Sequence, residues 1–487
     1  MKKMNLLVMS LISAAALSFT SCSSNDDLAG NAGQEKVNGF YMTLNVQTPK
    51  SDGTRTVVNK PTEDATAEES DVTSGTIYLV DEKGNIAFKK DISETEWKSG
   101  QKPTQGKDGS TQIKIEVEKV VAGATYKVYF LANTTNDKPW ANILTATNKF
   151  AQPYDTNNKF TMFNQNDESV DGNGYTVVFT DTNRKEANAA QIKYGNADSP
   201  IKIERLTARI DEPTSNATKI VAYTGTDATD AEKRAMQDAI NKVGSITMTG
   251  YAISNLSDKS YIMQHWTGTT LNIPSGITYY QPTKEFGTAT KLENGNYFTT
   301  ATTPNTHKDY VFENNNDNAA TSMYFEYTVK LNDMTNADFP KDGTFYRYNN
   351  VIYKSFADIY TAYHDVAGLF GGKTKEQMKA EVTAAKAAPT AEGEPTVESK
   401  LDNFRKTYKI EVFNCGKTYY KKAIKDQHLT YENAIQRNSI YRLTVNNIFN
   451  VGAQVPNGAP DKDVFFYLDV TVSVNPWVLN TQDINFK

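Results

Sequence analysis

Residues 464–487 read VFFYLDVTVSVNPWVLNTQDINFK. From Phe466 every second residue is apolar, through Leu468, Val470, Val472 and Val474, while Phe465, Tyr467, Asp469, Thr471 and Ser473 point the other way. Side chains of a strand alternate between its two faces, so this is a strand with one buried face. Pro476 lacks the N–H a ladder needs and disfavours helical backbone at Asn475, so the strand is expected to break there. Trp477, Val478, Leu479, Ile484 and Phe486 then make a second apolar extended segment. An exposed apolar strand invites pairing, so this region must be covered by its own domain or by another molecule.

A strand of the same kind lies near the other end. In Gly39–Pro49, Phe40, Met42, Leu44 and Val46 share one face and Tyr41, Thr43, Asn45 and Gln47 the other. Pro49-Lys-Ser-Asp-Gly-Thr-Arg55-Thr56 follows, and the Thr-, Ala- and Glu-rich stretch up to Gly75 has no periodicity. That composition reads as an exposed loop, and Arg55 sits in it between a detachable strand and the first core strand, where a protease can enter.

Between the two ends, short alternating runs predict strands at Thr76–Asp81, Ile86–Lys90, Gln112–Val121, Thr125–Asn133 and Thr176–Thr180, enough for one sandwich over 56–199. Ile201–Ile210, Ser245–Ser254, Ser260–Gln264, Tyr297–Thr299, Ser322–Leu331, Gly343–Tyr348, Thr407–Phe413 and Ser439–Val445 predict a second, larger β-domain over 200–487. Helices are expected only at Lys233–Lys242, behind a Thr229-x-x-Glu232 capping box, and as inserts at Ser355–Ala367 and Thr374–Ala387. The fold class is therefore mainly β, two sandwiches with a few helical insertions.

The composition fits this reading: 27 Tyr and 22 Phe, with 22% charged residues and a formal net charge of −5, so no basic surplus points to nucleic acid. The cysteines are Cys22 and Cys415. Met1–Ser21 has Lys2 and Lys3, an apolar stretch from Leu6 to Leu17 and then small residues, the layout of a secretory signal and too short for a stable membrane span. Its end, Leu17-Ser-Phe-Thr-Ser-Cys22, resembles the lipobox of bacterial lipoproteins, with an ordinary signal peptide and an incidental cysteine as the alternative. The Ser-Ser-Asn-Asp-Asp after Cys22 resembles the acidic export signal of Bacteroidetes surface lipoproteins. If Cys22 carries lipid, no intramolecular disulfide is possible.

Catalytic and ligand patterns are weak. Gly368-Leu-Phe-Gly-Gly372-Lys373-Thr374 is one residue short of a phosphate loop, and Asp167-x-Ser-x-Asp171-Gly172 lacks the closing glutamate of a calcium loop, with Val178 in that place. His265, His307, His364 and His428 are scattered, and Cys415 reads as a small structural residue. The reading is of a non-enzyme without metal or cofactor.

Taken in order, the segment ending at Cys22, the Gly-Thr-Arg55 loop, Ile203-Glu-Arg-Leu-Thr-Ala-Arg-Ile210, Arg437-Asn-Ser-Ile-Tyr-Arg-Leu443 and Val472-Ser-Val-Asn-Pro-Trp477 resemble the fimbrilins of Bacteroidales, the subunits of type V pili. Among them the likeness is greatest to the Mfa-type minor-fimbrium shaft subunit. The resemblance implies two transthyretin-like sandwiches and a lipoprotein precursor in the outer membrane, acylated at Cys22. It implies an arginine-specific protease that cuts between Arg55 and Thr56 and so releases the lipidated propeptide 22–55 with the strand Phe40–Val46. The vacated groove is then filled by the Val464–Lys487 region of the next copy, in a head-to-tail polymer with anchor and tip subunits that serves adhesion and biofilm formation. Other readings stay open: a tip or accessory subunit, a monomeric surface lipoprotein that binds glycan or host protein, and an exported hydrolase. A Cys22→Ala chain is expected to take up no labelled palmitate in cells; continued uptake refutes acylation at that residue.

Overall fold

The computed structural model describes residues 39–47, 63–64, 69, 71–100, 110–133, 147–149, 159–165, 174–268, 270–280, 299–300, 307–391, 393–426, 434–456 and 468–478. Cys22, Arg55, Thr56, Phe466, Leu479, Ile484 and Phe486 lie outside them. The chain is mainly β, with few helices.

The first core is built on β1 (Phe40–Gln47), β3 (Gly75–Val80), β4 (Ile86–Ile92), β5 (Ser110–Val117), β6 (Thr125–Ala132), β7 (Met162–Asn164), β8 (Tyr175–Val178), β9 (Ala190–Gln191) and β10 (Ile201–Arg205), with β2 (Glu63–Asp64) lying elsewhere. Strand β1 is an inner strand. It runs antiparallel to β5 over its whole length, from Phe40 opposite Val117 to Gln47 opposite Ser110. On its other side it runs parallel to β9 at Met42 and Thr43 and to β10 at Val46 and Gln47. The inward side chains pack with Ile77, Leu79, Trp97, Ile115, Val117, Val128 and Phe130, Trp97 stacking on Phe130 at 5.4 Å between ring centres.

The second core is formed by β11 (Ala208–Asp211), β12 (Val243–Ser254), β13 (Lys308–Val311), β14 (Ser322–Leu331), β15 (Lys417–Ala423), β16 (Ser439–Ile448) and β17 (Leu468–Val478). One sheet runs β2-β17-β16-β11-β13, and the facing one carries β12-β14-β15. Met323, Phe325, Tyr327 and Val329 of β14 alternate into this core, as the period of two requires. After helix α1 (Glu94–Gly100), helix α2 (Asp230–Lys242) starts at the expected capping box, where Thr229 and Glu232 exchange side-chain-to-backbone bonds. Helices α3 (Phe356–Tyr363), α4 (Lys375–Lys386) and α5 (Val397–Tyr408) have a small apolar core of their own around Phe356, Met378, Val382, Leu401 and Phe404.

Three expectations change. Ile201–Ile210 is two strands: β10 pairs in the first core and β11 in the second, so the change of sheet falls at Leu206-Thr207. Thr407 and Tyr408 end a helix and do not begin a strand. Leu401 and Phe404, three apart, bury one face of α5, and Lys409 terminates it with φ +59°, leaving Glu411–Phe413 as the strand. β17 also runs through Pro476. That proline faces Ser439 across the ladder.

The two cores are joined by a third apolar cluster: Tyr78, Val80, Tyr129, Leu131 and Phe163 from the outer face of the first sheet meet Leu206, Ile262, Met263 and Phe312. Phe163 stacks on Tyr129 at 5.9 Å between ring centres. Phe163→Ala is expected to cost about 3–5 kcal/mol, read as a lowered urea midpoint with an unchanged far-UV spectrum.

Candidate functional site

Phe40, Met42, Leu44 and Val46, expected as one apolar face, are all buried in the first core. Their burial is worth roughly 6–12 kcal/mol as an upper bound. The slot they fill is close-fitting. A Cβ on Gly39 would stand 2.8 Å from the Val117 carbonyl oxygen, so the chain enters the slot on a residue without a side chain. On the opposite face Gln191 donates to Thr43 Oγ1 at 3.1 Å. At the entry end the Phe40 ring lies 5.4 Å from Phe179 and carries the Arg184 guanidinium over its face at 4.3 Å.

The terminal strand keeps the alternation read from sequence. Leu468 and Val472 are buried, Val470 packs partly against the second core, and Asp469, Thr471 and Ser473 are exposed. β17 pairs antiparallel with β16 from Leu468 opposite Ile448 to Pro476 opposite Ser439, with Val474 opposite Tyr441. Its far end meets β2 in parallel, Glu63 beside Trp477 and Asp64 beside Val478. In this chain the strand is therefore covered by its own second core.

Between the two ends lies a set of buried charges whose role the sequence reading did not assign. Glu69 is 2% exposed, yet its carboxylate accepts from Arg209 at 3.2 Å, Lys308 at 3.3 Å and the Tyr310 hydroxyl at 2.6 Å. Its backbone oxygen accepts from Arg205 Nε at 2.6 Å. Arg205, fully buried, donates from its other arm to Asn438 at 3.0 Å. Burial pushes the Arg205 guanidinium down to about 9, with Glu69 and Tyr310 opposing that shift. Burial also works against the Arg209 charge, but Asp211 and Glu69 outweigh it and hold its pKa above the usual value. Arg437, also fully buried, reaches Glu313 at 2.8 Å and the carbonyls of Tyr261 and Ile262 at 2.7 and 2.9 Å, with Glu204 at 3.7 Å. These arginines belong to the 203–210 and 437–443 segments. Charged residues inside apolar runs were the available signal; Glu69, one of several acidic residues in a stretch without periodicity, gave none.

Among the described residues no group of His, Cys, Asp and Glu is placed to hold a metal ion. The Gly368–Gly372 stretch is a tight turn with Gly368, Phe370, Gly371 and Gly372 at positive φ, and it seats Phe370 in the helical core.

Residues 41–205, from β1 to the end of β10, match the family model of the major fimbrial subunit protein (FimA), and residues 411–483 match that of the C-terminal part of fimbrillin, the type IV major fimbrial subunit protein. Over these two stretches the chain is similar to the fimbrilins. Fimbrilins are structural subunits and not enzymes, and they assemble with copies of themselves into fimbriae at the cell surface. The matched models are those of major subunits, and they cover both strands singled out above. No curated protein sequence matches this chain. Solved structures similar to it include a fimbrilin from Porphyromonas gingivalis, 16% identical with a TM-score of 0.43, covering 92% of this chain and all of that one. Another is a candidate cell adhesion protein from Parabacteroides distasonis, 15% identical with a TM-score of 0.47, covering 91% of this chain and 99% of that one. Both are too distant to carry the assignment, which rests on the two family matches. Glu69→Ala leaves buried cations without their partner and is expected to cost about 3–5 kcal/mol, measured as a lowered denaturation midpoint.

Proposed function

We propose that this chain is a shaft subunit that polymerises by protease-triggered strand exchange between two transthyretin-like sandwiches. Its precursor is held in the outer membrane by lipid on Cys22. An arginine-specific protease cuts between Arg55 and Thr56, the strand Phe40–Val46 leaves with the propeptide, and the Val464–Lys487 region of the next copy fills the slot. Anchor and tip subunits close the ends, and the filament serves adhesion and biofilm formation.

The observation that carries this reading is the placement of β1. An inner strand paired on both sides is normally a permanent part of a sheet, yet this one is followed directly by the segment that holds Arg55. Its loss would leave β5 on one side and β9 and β10 on the other with unpaired backbone groups, and four apolar positions empty. Those are the conditions under which a strand from another chain adds to a sheet. Downstream of the cut the chain stays fastened, by Glu63 and Asp64 on β17 and by Glu69 on the arginines. Arg55→Ala is expected to leave a cell-held, unpolymerised subunit, whereas the wild-type filament begins at Thr56. N-terminal sequencing of sheared filaments that finds Cys22 or Ser23 instead overturns the proposal.

A further inference from the structure

We propose that the Phe40 end of the slot is an aromatic-selective subsite built by Arg184, Phe179 and Tyr126, and that the occupant it selects is Phe466 of a second copy. The inference rests on the strand-exchange reading above and adds which residues set register and specificity.

The subsite is built without help from β1. Arg184 closes a turn, Asp181–Arg184, in which Thr180 and Asn183 cap each other, and its Nε is held by Asp181 Oδ1 at 3.1 Å. Phe179, fully buried, leans on Tyr126 at 6.2 Å between ring centres, and the Tyr126 hydroxyl accepts from the Val121 N–H at 2.9 Å. The cation and the two rings are thus held by the first core itself; Arg184 and Phe179 touch Phe40, and Tyr126 backs Phe179. A guanidinium over a ring face rewards an aromatic occupant and gives an aliphatic one no such term. The other three positions of the slot, filled by Met42, Leu44 and Val46, present only apolar packing in the first core.

An occupant must therefore offer an aromatic residue followed by aliphatics two, four and six residues on. In 464–487 Phe466 does so, with Leu468, Val470 and Val472. Phe465 and Tyr467 are followed by polar residues in that frame, Trp477 by Leu479, Thr481 and Asp483, and Phe486 by no aliphatic. The two heptads correspond closely: Phe40-Tyr-Met-Thr-Leu-Asn-Val46 against Phe466-Tyr-Leu-Asp-Val-Thr-Val472. Leu468 and Val472 now lie in the second core, so the exchange trades one apolar strand site for another, as in domain swapping.

The test uses the full chain after cutting with an arginine-specific protease, with release of residues 22–55 confirmed by mass. It is titrated with a fluorescent peptide of residues 464–474 and with its Phe466→Ala and Phe466→Trp forms. The wild-type peptide and the Phe466→Trp form are expected to bind alike, and Phe466→Ala to bind about tenfold more weakly. In an Arg184→Ala chain, whose altered side chain is partly exposed, the wild-type peptide should lose affinity while the Phe466→Ala peptide is unchanged. Equal binding of the wild-type and Phe466→Ala peptides to the wild-type chain overturns the subsite and leaves strand exchange standing. No binding by any peptide overturns strand exchange itself.

Discussion

The rest of this molecule depends on one carboxylate taken out of water. Glu69 sits in the seam between two apolar cores and is ringed by Arg209, Lys308 and Tyr310, while its backbone holds Arg205. A buried charge is tolerable only when it is paired and hydrogen-bonded, so these groups fix one another's positions. The segments they come from include the end of β10, the whole of β11, β13 and the loop that leads into β3. Buried ion pairs are weak evidence of stability but good devices for choosing one arrangement. Here the arrangement chosen is the way the two cores meet, reinforced by the apolar cluster of Phe163, Leu206, Met263 and Phe312.

The same seam divides the chain into two differently held parts. Upstream of Glu69, β1 is held by backbone pairing, by its buried apolar face and by the Arg184 guanidinium over Phe40. Downstream, β3 is paired with β4 and β6 and is tied into the junction by Tyr78 and Val80.

Much of this was legible in the sequence, and the reasons differ by element. The Phe40–Val46 and Leu468–Val472 alternations were plain because a half-buried strand leaves a period-two record. The capping boxes at Thr229 and Thr374 marked two helix starts through paired side chains. Helix α5 was missed because Thr396 caps Ser399 without a reciprocal Glu or Gln, and its end was read as a strand. The crossing at Leu206-Thr207 was hidden because Ile201–Ile210 reads as one apolar run, while the change of sheet is written only in tertiary pairing. Glu69 was beyond reach for the same reason: its partners are 136 to 241 residues away in sequence.

The antiparallel pairing of β17 with β16 also sets how the molecule would bear a mechanical load. A pull along β17 from its far end is resisted by the rungs of that ladder sharing the force, because the strands must slide past each other before any rung is free. The load then passes from β16 to β11, and from β11 through two residues of chain into β10, the strand that lines the slot of β1. Tension applied at β17 thus reaches β10, the neighbour of β1, through a nearly continuous run of backbone, with the buried arginines acting as cross-ties beside it.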